Sequence, residues 1–168
     1  SVGGIMGLTD SKHLNIDITK NVLFLSPIQG LAEGINVINR SENIPTVRIS
    51  SNELLMTQAQ TAIGIQTEHI NPVIDSNAVS IGSPNKNLQN MSGIFVNQSS
   101  QAVIQNNLVR VLSTQGQSLV AAALYLVDTS AAKIYSNTLS VGLNSGTPVA
   151  LLLKDSDRLD LKNNLFHS

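Results

Sequence analysis

Apolar residues alternate with polar ones along much of this chain, and the alternation is nested inside a longer repeat of about 28 residues that an Asn marks each time. Around Asn137 the order is "KIYSNTLSV"; it returns as "RISSNELLM" around Asn52, "VIQNNLVRV" around Asn107 and "LDLKNNLF" around Asn164. Asn21 and Asn77 complete the series. Three residues before the six Asn stand Ile18, Ile49, Ile74, Ile104, Ile134 and Leu161, and five before stand Ile16, Val47, Pro72, Ala102, Ala132 and Leu159. Two residues after come Leu23, Leu54, Val79, Val109, Leu139 and Phe166; four after come Leu25, Met56, Ile81, Val111 and Val141.

A period of two means strands, so each unit carries one strand ending near the Asn and a second starting just beyond it. The Asn is then a corner. Asn tolerates the left-handed backbone region and its short amide bonds locally, which suits a sharp bend. A third strand is expected earlier in every unit, at "IMGL" (5–8), "GINV" (34–37), "AIGI" (62–65), "GIFV" (93–96), "AALYL" (122–126) and "VALLL" (149–153). Its inward columns are read as Met6, Ile35, Ile63, Ile94, Leu124, Leu151 and as Leu8, Val37, Ile65, Val96, Leu126, Leu153. Its outward column is then Gly7, Asn36, Gly64, Phe95, Tyr125 and Leu152.

No single unit can bury its own inner face. Stacking units at the spacing of neighbouring strands, roughly 4.8 Å, gives each aliphatic side chain a like neighbour above and below and pairs the backbone between units. The six Asn would then form an amide ladder down one corner.

These features resemble the right-handed parallel β-helix, the pectin-lyase-like family, with its tandem Ile-x-x-Asn-x-Ile/Leu motif in each coil. The resemblance runs from Met6 to Phe166 and implies an all-β solenoid of about six coils, each of roughly 28 residues and three strands. The whole of 1–168 reads as a single domain. A leucine-rich repeat is the rival architecture, because "LDLKNNLF" and "IDITKNVL" fit its core. That repeat wants Leu eight residues before the Asn, where this chain has His13, Ile44, His69, Ser99, Thr129 and Ser156.

Composition narrows the picture. With three Phe, two Tyr and no Trp among 42% apolar residues, the core must be aliphatic. A net charge of −1 with 12% charged residues provides no basic stripe for nucleic-acid phosphates and no polybasic membrane segment, and no apolar run is long enough for a membrane helix. The chain has no Cys, which excludes disulfides and thiolate metal sites.

Candidate chemistry is sparse. "SIGSPNKNLQNMSG" (80–93) and "GLNSGTP" (142–148) have the composition of exposed loops. In the family that the chain resembles, ligands commonly lie on the outer face of the strand following such loops. The candidate ligand residues are therefore Phe95, Tyr125, Leu152 and Asn36, with the two aromatics as neighbours on adjacent coils. None of the six outward positions is Asp or Glu, whereas the lyases and hydrolases of this family project carboxylates there. No nucleophilic triad, phosphate loop or zinc motif is present. The acidic segment "KDSDRLD" (154–160) makes Asp128, Asp155 and Asp157 a candidate calcium site, set against a turn-capping role at a bend where Asp10, Thr67, Asp128 and Asp155 recur.

The functional expectation is a scaffold without catalysis, extracellular or on the cell surface, binding carbohydrate or a protein partner and needing no cofactor. The alternatives are a polysaccharide lyase, hydrolase or epimerase with a loop-borne site, and a purely structural stalk or adhesin segment. Neither end shows a capping helix, so the reading includes a fragment of a longer chain, or open coil ends covered by self-association or further domains.

Overall fold

The computed structural model describes residues 2–9, 16–26, 30–58, 60–83, 90–113, 118–144 and 146–168. Among them there is no helix, and eighteen strands follow one another in threes. In chain order they are β1 (Val2–Thr9), β2 (Ile16–Thr19), β3 (Val22–Leu25); β4 (Leu31–Asn39), β5 (Thr46–Ser50), β6 (Glu53–Thr57); β7 (Thr61–Glu68), β8 (Asn71–Asp75), β9 (Ala78–Ser83). They continue as β10 (Asn90–Asn97), β11 (Val103–Gln105), β12 (Leu108–Ser113); β13 (Ser118–Val127), β14 (Lys133–Tyr135), β15 (Thr138–Leu143); β16 (Gly146–Lys154), β17 (Asp160–Lys162), β18 (Leu165–His167).

Every third strand pairs in parallel, making three six-stranded sheets: β1-β4-β7-β10-β13-β16 (sheet A), β2-β5-β8-β11-β14-β17 (sheet B) and β3-β6-β9-β12-β15-β18 (sheet C). The molecule is a β-solenoid with three parallel faces. The leucine-rich alternative fails because its helical side is absent from the described residues. Inside runs an aliphatic core in rows one side chain deep: Val47, Ile49, Ile74, Ile104 and Ile134 from sheet B, Ala102 and Ala132 just before β11 and β14, and Leu54, Met56, Val79, Ile81, Val109, Val111, Leu139 and Val141 from sheet C are buried.

The corner between sheets B and C is the Asn ladder. Asn52, Asn77, Asn107 and Asn137 are buried. From Asn21 to Asn137, the Nδ2 of each Asn donates to the Oδ1 of the Asn one turn on, at 2.9–3.0 Å. The same Oδ1 also accepts the backbone N–H of the preceding turn's Asn at 3.0 Å. A second bond from Nδ2 reaches back to the carbonyl of the previous turn's Ile, as from Asn107 to Ile74 at 2.9 Å and from Asn137 to Ile104 at 2.8 Å. The bend itself differs in one respect from expectation. The left-handed residue is the one before the Asn: Lys20, Ser51, Ser76, Asn106, Ser136 and Asn163 have φ between 53° and 58°. The Asn is required for its amide, and the preceding exposed residue takes the unfavourable backbone conformation, which costs about 1–2 kcal/mol.

Sheet A departs further from the sequence reading. Its register is Ile5↔Ile35↔Ile65↔Ile94↔Leu124↔Leu151, followed by Gly7↔Val37↔Thr67↔Val96↔Leu126↔Leu153. Met6 and Leu8 are therefore not inward but exposed, and Ile63 is not in the column assigned to it. The outward column contains Met6 and Gln66 where the sequence reading placed Gly7 and Gly64. Thr67, expected at a bend, lies in the core. The shift arises because the strands of sheet A are not simple alternating strands. In β4, Gly34 and Ile35 are both buried, so the alternation slips by one residue. Gly34, Gly64 and Gly93 stand at this slip. A Cβ on Gly34 would run into Leu54 and the Gly64 carbonyl, one on Gly64 into Val79 and the Gly93 carbonyl, and one on Gly93 into Val109 and the Ala123 carbonyl. Close approach, not left-handed φ, is what glycine supplies here.

The expected loops are also shorter than their composition implied. Ser80–Ser83 belongs to β9 and Asn90–Gly93 to β10, with 84–89 outside the described residues; Gly142 and Leu143 end β15, and Gly146–Pro148 opens β16. Asp10 and His13 also lie outside the described residues.

Candidate functional site on the outer face of sheet A

The slip at the glycine column bends each strand of sheet A outward and brings two outward columns together. Before the bend stand Glu33, Ile63, Ser92 and Ala122; after it stand Asn36, Gln66, Phe95 and Tyr125. Residues three apart on a straight strand point to opposite faces about 10 Å apart. Here the Asn36 Nδ2 donates to Glu33 Oε1 at 3.0 Å, which only a bent strand allows. The two columns form the walls of a shallow trough, partly exposed at Glu33, Ile63, Gln66, Phe95 and Tyr125 and closed over at Asn36, Ser92 and Ala122, which are buried.

Its best-formed part is a depression of about 270 Å³ lined by Ile63, Asn90, Ser92, Phe95 and Tyr125. Phe95 and Tyr125 are paired in register, with ring centroids 5.3 Å apart and planes inclined at 48°. Both rings are half-buried, so each keeps a part of its surface toward the trough. Leu152 follows Tyr125 in register and extends the apolar column. Asn36 is in the same column but is separated from Phe95 by Gln66. It is only 5% exposed, and its Oδ1 has no partner among the described residues. The four sequence candidates thus share one column, in two groups: Phe95, Tyr125 and Leu152 together, and Asn36 apart.

Sequence reasoning missed Glu33, Ile63, Gln66, Asn90 and Ser92. The signal that could have found them is the recurrence of Gly34, Gly64 and Gly93 at equivalent places. Those glycines mark the bend that makes Glu33 and Ser92 neighbours of the aromatic column.

The acidic candidates are arranged differently. Asp128 and Asp155 occupy equivalent bends with φ of 46° and 50°, in a series with His69 and Gln98. The Asp128 N–H donates to the Lys154 carbonyl across turns. Asp157 is exposed and lies 3.6 Å from Arg158 Nε. No group of three acidic or imidazole side chains stands close enough to hold a metal ion among the described residues. Asp128 and Asp155 take the left-handed backbone of a bend, and Asp157 forms an isolated parallel bridge with Ser130.

Sheet B carries the most organised polar face. Asp75 faces Arg48 at 3.5 Å and accepts from Asn106 at 3.1 Å and Ser76 at 2.9 Å. Burial alone would raise its pKa, but the hydrogen bonds and the Arg48 charge together hold it below the ordinary 3.8. On the last turns, the Tyr135 hydroxyl donates to Asp160 Oδ2, which also takes Lys162 Nζ at 2.9 Å. The hydrogen bond to Asp160 pushes the Tyr135 pKa up, and the Tyr135 and Lys162 donors pull the Asp160 pKa down. The Lys162 ammonium, 5.3 Å from the Tyr135 ring centroid, is stabilised in its charged form by the same carboxylate. The Arg48–Asp75, Asn106–Asp75 and Tyr135–Asp160 contacts tie neighbouring turns together, while Lys162–Asp160 lies within β17.

Comparison with family models, with curated proteins and with solved structures found no match to this chain. The site must be read from its own chemistry.

Proposed function

We propose that this chain is a carbohydrate-binding β-helix of the pectin-lyase-like kind, part of an exported or cell-surface protein, and that it binds without cleaving. A right-handed winding belongs to this reading, since crossovers between parallel strands are right-handed with few exceptions. The observation that carries it is the Phe95–Tyr125 pair over the Ile63–Ser92 depression. A half-exposed ring can stack on the C–H face of a sugar, while Ser92, Asn90 and Gln66 offer hydroxyl and amide groups for its hydroxyls. A chain of sugars laid along the trough would cross successive turns at roughly 4.8 Å per step, so side chains from several turns can share it.

Glycan-array binding tests this reading. Phe95→Ala and Tyr125→Ala are each expected to weaken binding about tenfold, or ~1.4 kcal/mol, with the thermal transition little changed. Binding equal to the parent in both variants would remove the site from consideration.

A catalytic reading is favoured by one observation, the Glu33 carboxylate held by Asn36 within the same trough. A polysaccharide lyase, hydrolase or epimerase using Glu33 as acid or base would release or convert product from a bound glycan, and Glu33→Gln would abolish turnover while leaving binding intact. A protein partner, or a stalk without ligand, would leave the array blank.

A further inference from the structure

Charge is spread unevenly over the outer face of sheet A. In the two columns that wall the trough, from Glu33 to Ala122 and from Asn36 to Tyr125, Glu33 is the one charged residue. Glu68, two residues beyond Gln66 on the same strand, adds a second carboxylate on this face. Lys154 is the cation in register with Glu68, and it stands three strands away, roughly 14 Å. Arg40 lies past the end of β4. Neither Glu33 nor Glu68 has an ion-pair partner among the described residues. The Glu33 carboxylate is also held in place. Its Oε1 accepts from Asn36 Nδ2 at 3.0 Å, and Asn36 is buried. Turning that amide over would aim Oδ1 at the carboxylate, so Oδ1 stays unpaired and adds a further negative dipole end to the same wall. Glu33 is partly exposed and pairs in register with Ile63, which lines the aromatic depression. Since β4 and β10 are roughly 9.6 Å apart, a pyranose lying on Phe95 has Glu33 beside its neighbouring sugar. The faces of Phe95 and Tyr125 carry the negative side of their ring quadrupoles.

Building on the carbohydrate reading above, we propose that the glycan this trough selects carries a free amino sugar, and that Glu33 is the residue that selects it. A sugar ammonium brings donors and a positive charge; Glu33 supplies the acceptor and the opposite charge, and the aromatic faces favour a cation nearby. An N-acetyl group in the same place removes the charge and with it the advantage. A uronate sets carboxylate against carboxylate, with no Lys or Arg among the described residues of the two columns to neutralise the pair.

Calorimetric titration of the chain with three tetrasaccharides tests the assignment: β-1,4-linked glucosamine, its N-acetylated form and α-1,4-linked galacturonate, at about pH 6, where the sugar amine is protonated. The glucosamine tetramer is expected to bind about tenfold tighter than the N-acetylated one, with the advantage shrinking as sodium chloride is added, and the galacturonate is expected to give no measurable heat. Glu33→Gln keeps an oxygen for Asn36 Nδ2 and removes the charge, so the ratio of the first two affinities falls to about one at an unchanged circular dichroism spectrum. Equal binding of the amine and N-acetyl forms, measurable binding of the galacturonate, or an undiminished ratio in Glu33→Gln would overturn the assignment and leave the carbohydrate reading standing. No binding of the glucosamine tetramer overturns it whatever else binds; only a blank glycan array takes the carbohydrate reading with it. Tighter capture of an oligolysine peptide than of the glucosamine tetramer would also overturn it, and would give the trough to a protein partner.

Discussion

Replacing Asn107 by Ala removes an interior rung of the ladder, and its cost can be worked out bond by bond. The Asn107 side chain donates to Asn137 Oδ1 and to the Ile74 carbonyl and accepts from the backbone and the side chain of Asn77. In the alanine variant Asn137 Oδ1 still receives the Asn107 backbone N–H. The Asn77 N–H loses its acceptor, one Asn77 amide hydrogen loses its own, and the Ile74 carbonyl loses a donor. A buried group left unpaired costs about 1–3 kcal/mol, and partial relaxation toward this corner lowers the sum, so a loss of about 3–5 kcal/mol is expected. The contrast with the first rung sharpens the test. Asn21 donates to Asn52 and to the carbonyl of Thr19, and Asn52 Oδ1 keeps the Asn21 backbone N–H when the side chain is gone. Asn21→Ala should therefore cost no more than about 1 kcal/mol. Urea denaturation followed by circular dichroism measures both, with the slope checked for loss of cooperativity, since stacked turns can unfold in stages. Equal and small losses at 107 and 21 would mean that water replaces the amides at little cost, and the ladder would not be what holds the corner.

Other outcomes follow from single features. Thr67 Oγ1 is buried without a partner, in a column between Val37 and Val96; Thr67→Val keeps the shape and should raise stability by about 1 kcal/mol, read as a higher urea midpoint at unchanged slope. Gly93→Ala forces a methyl against Val109 and the Ala123 carbonyl and should cost about 1–3 kcal/mol, with Val109→Ala in the same chain recovering part of it; a neutral Gly93→Ala would remove the close-approach argument. Asp75 has a folded pKa below its ordinary 3.8, so its contribution is complete above that value and disappears as the pH falls through the lower folded value. Urea midpoints between about pH 2 and pH 6 should therefore fall less steeply for Asp75→Asn than for the parent.

The repeat, the corner amides and the identity of most core rows were legible along the chain because each is local. An Ile three before an Asn and a Leu two after it obey the geometry of one strand, one bend and another strand, and the same local solution is used in every turn. The six Asn could be aligned without knowing anything about distant residues. Sheet A was legible only in part. Its alternation slips at Gly34, Gly64 and Gly93, where the backbone of one turn approaches the carbonyl of the next and the side chains of sheet C, and no periodicity within one strand reveals such a contact. That slip moved Met6 and Gln66 outward, carried Thr67 into the core and brought Glu33 and Ser92 beside the aromatic column. The groove over Ala78 on sheet C likewise exists only between turns, since Glu53 and Leu108 stand on either side of it. A solenoid writes its winding into each repeat; its surfaces arise from the register between repeats, and that register is set by packing across the whole stack.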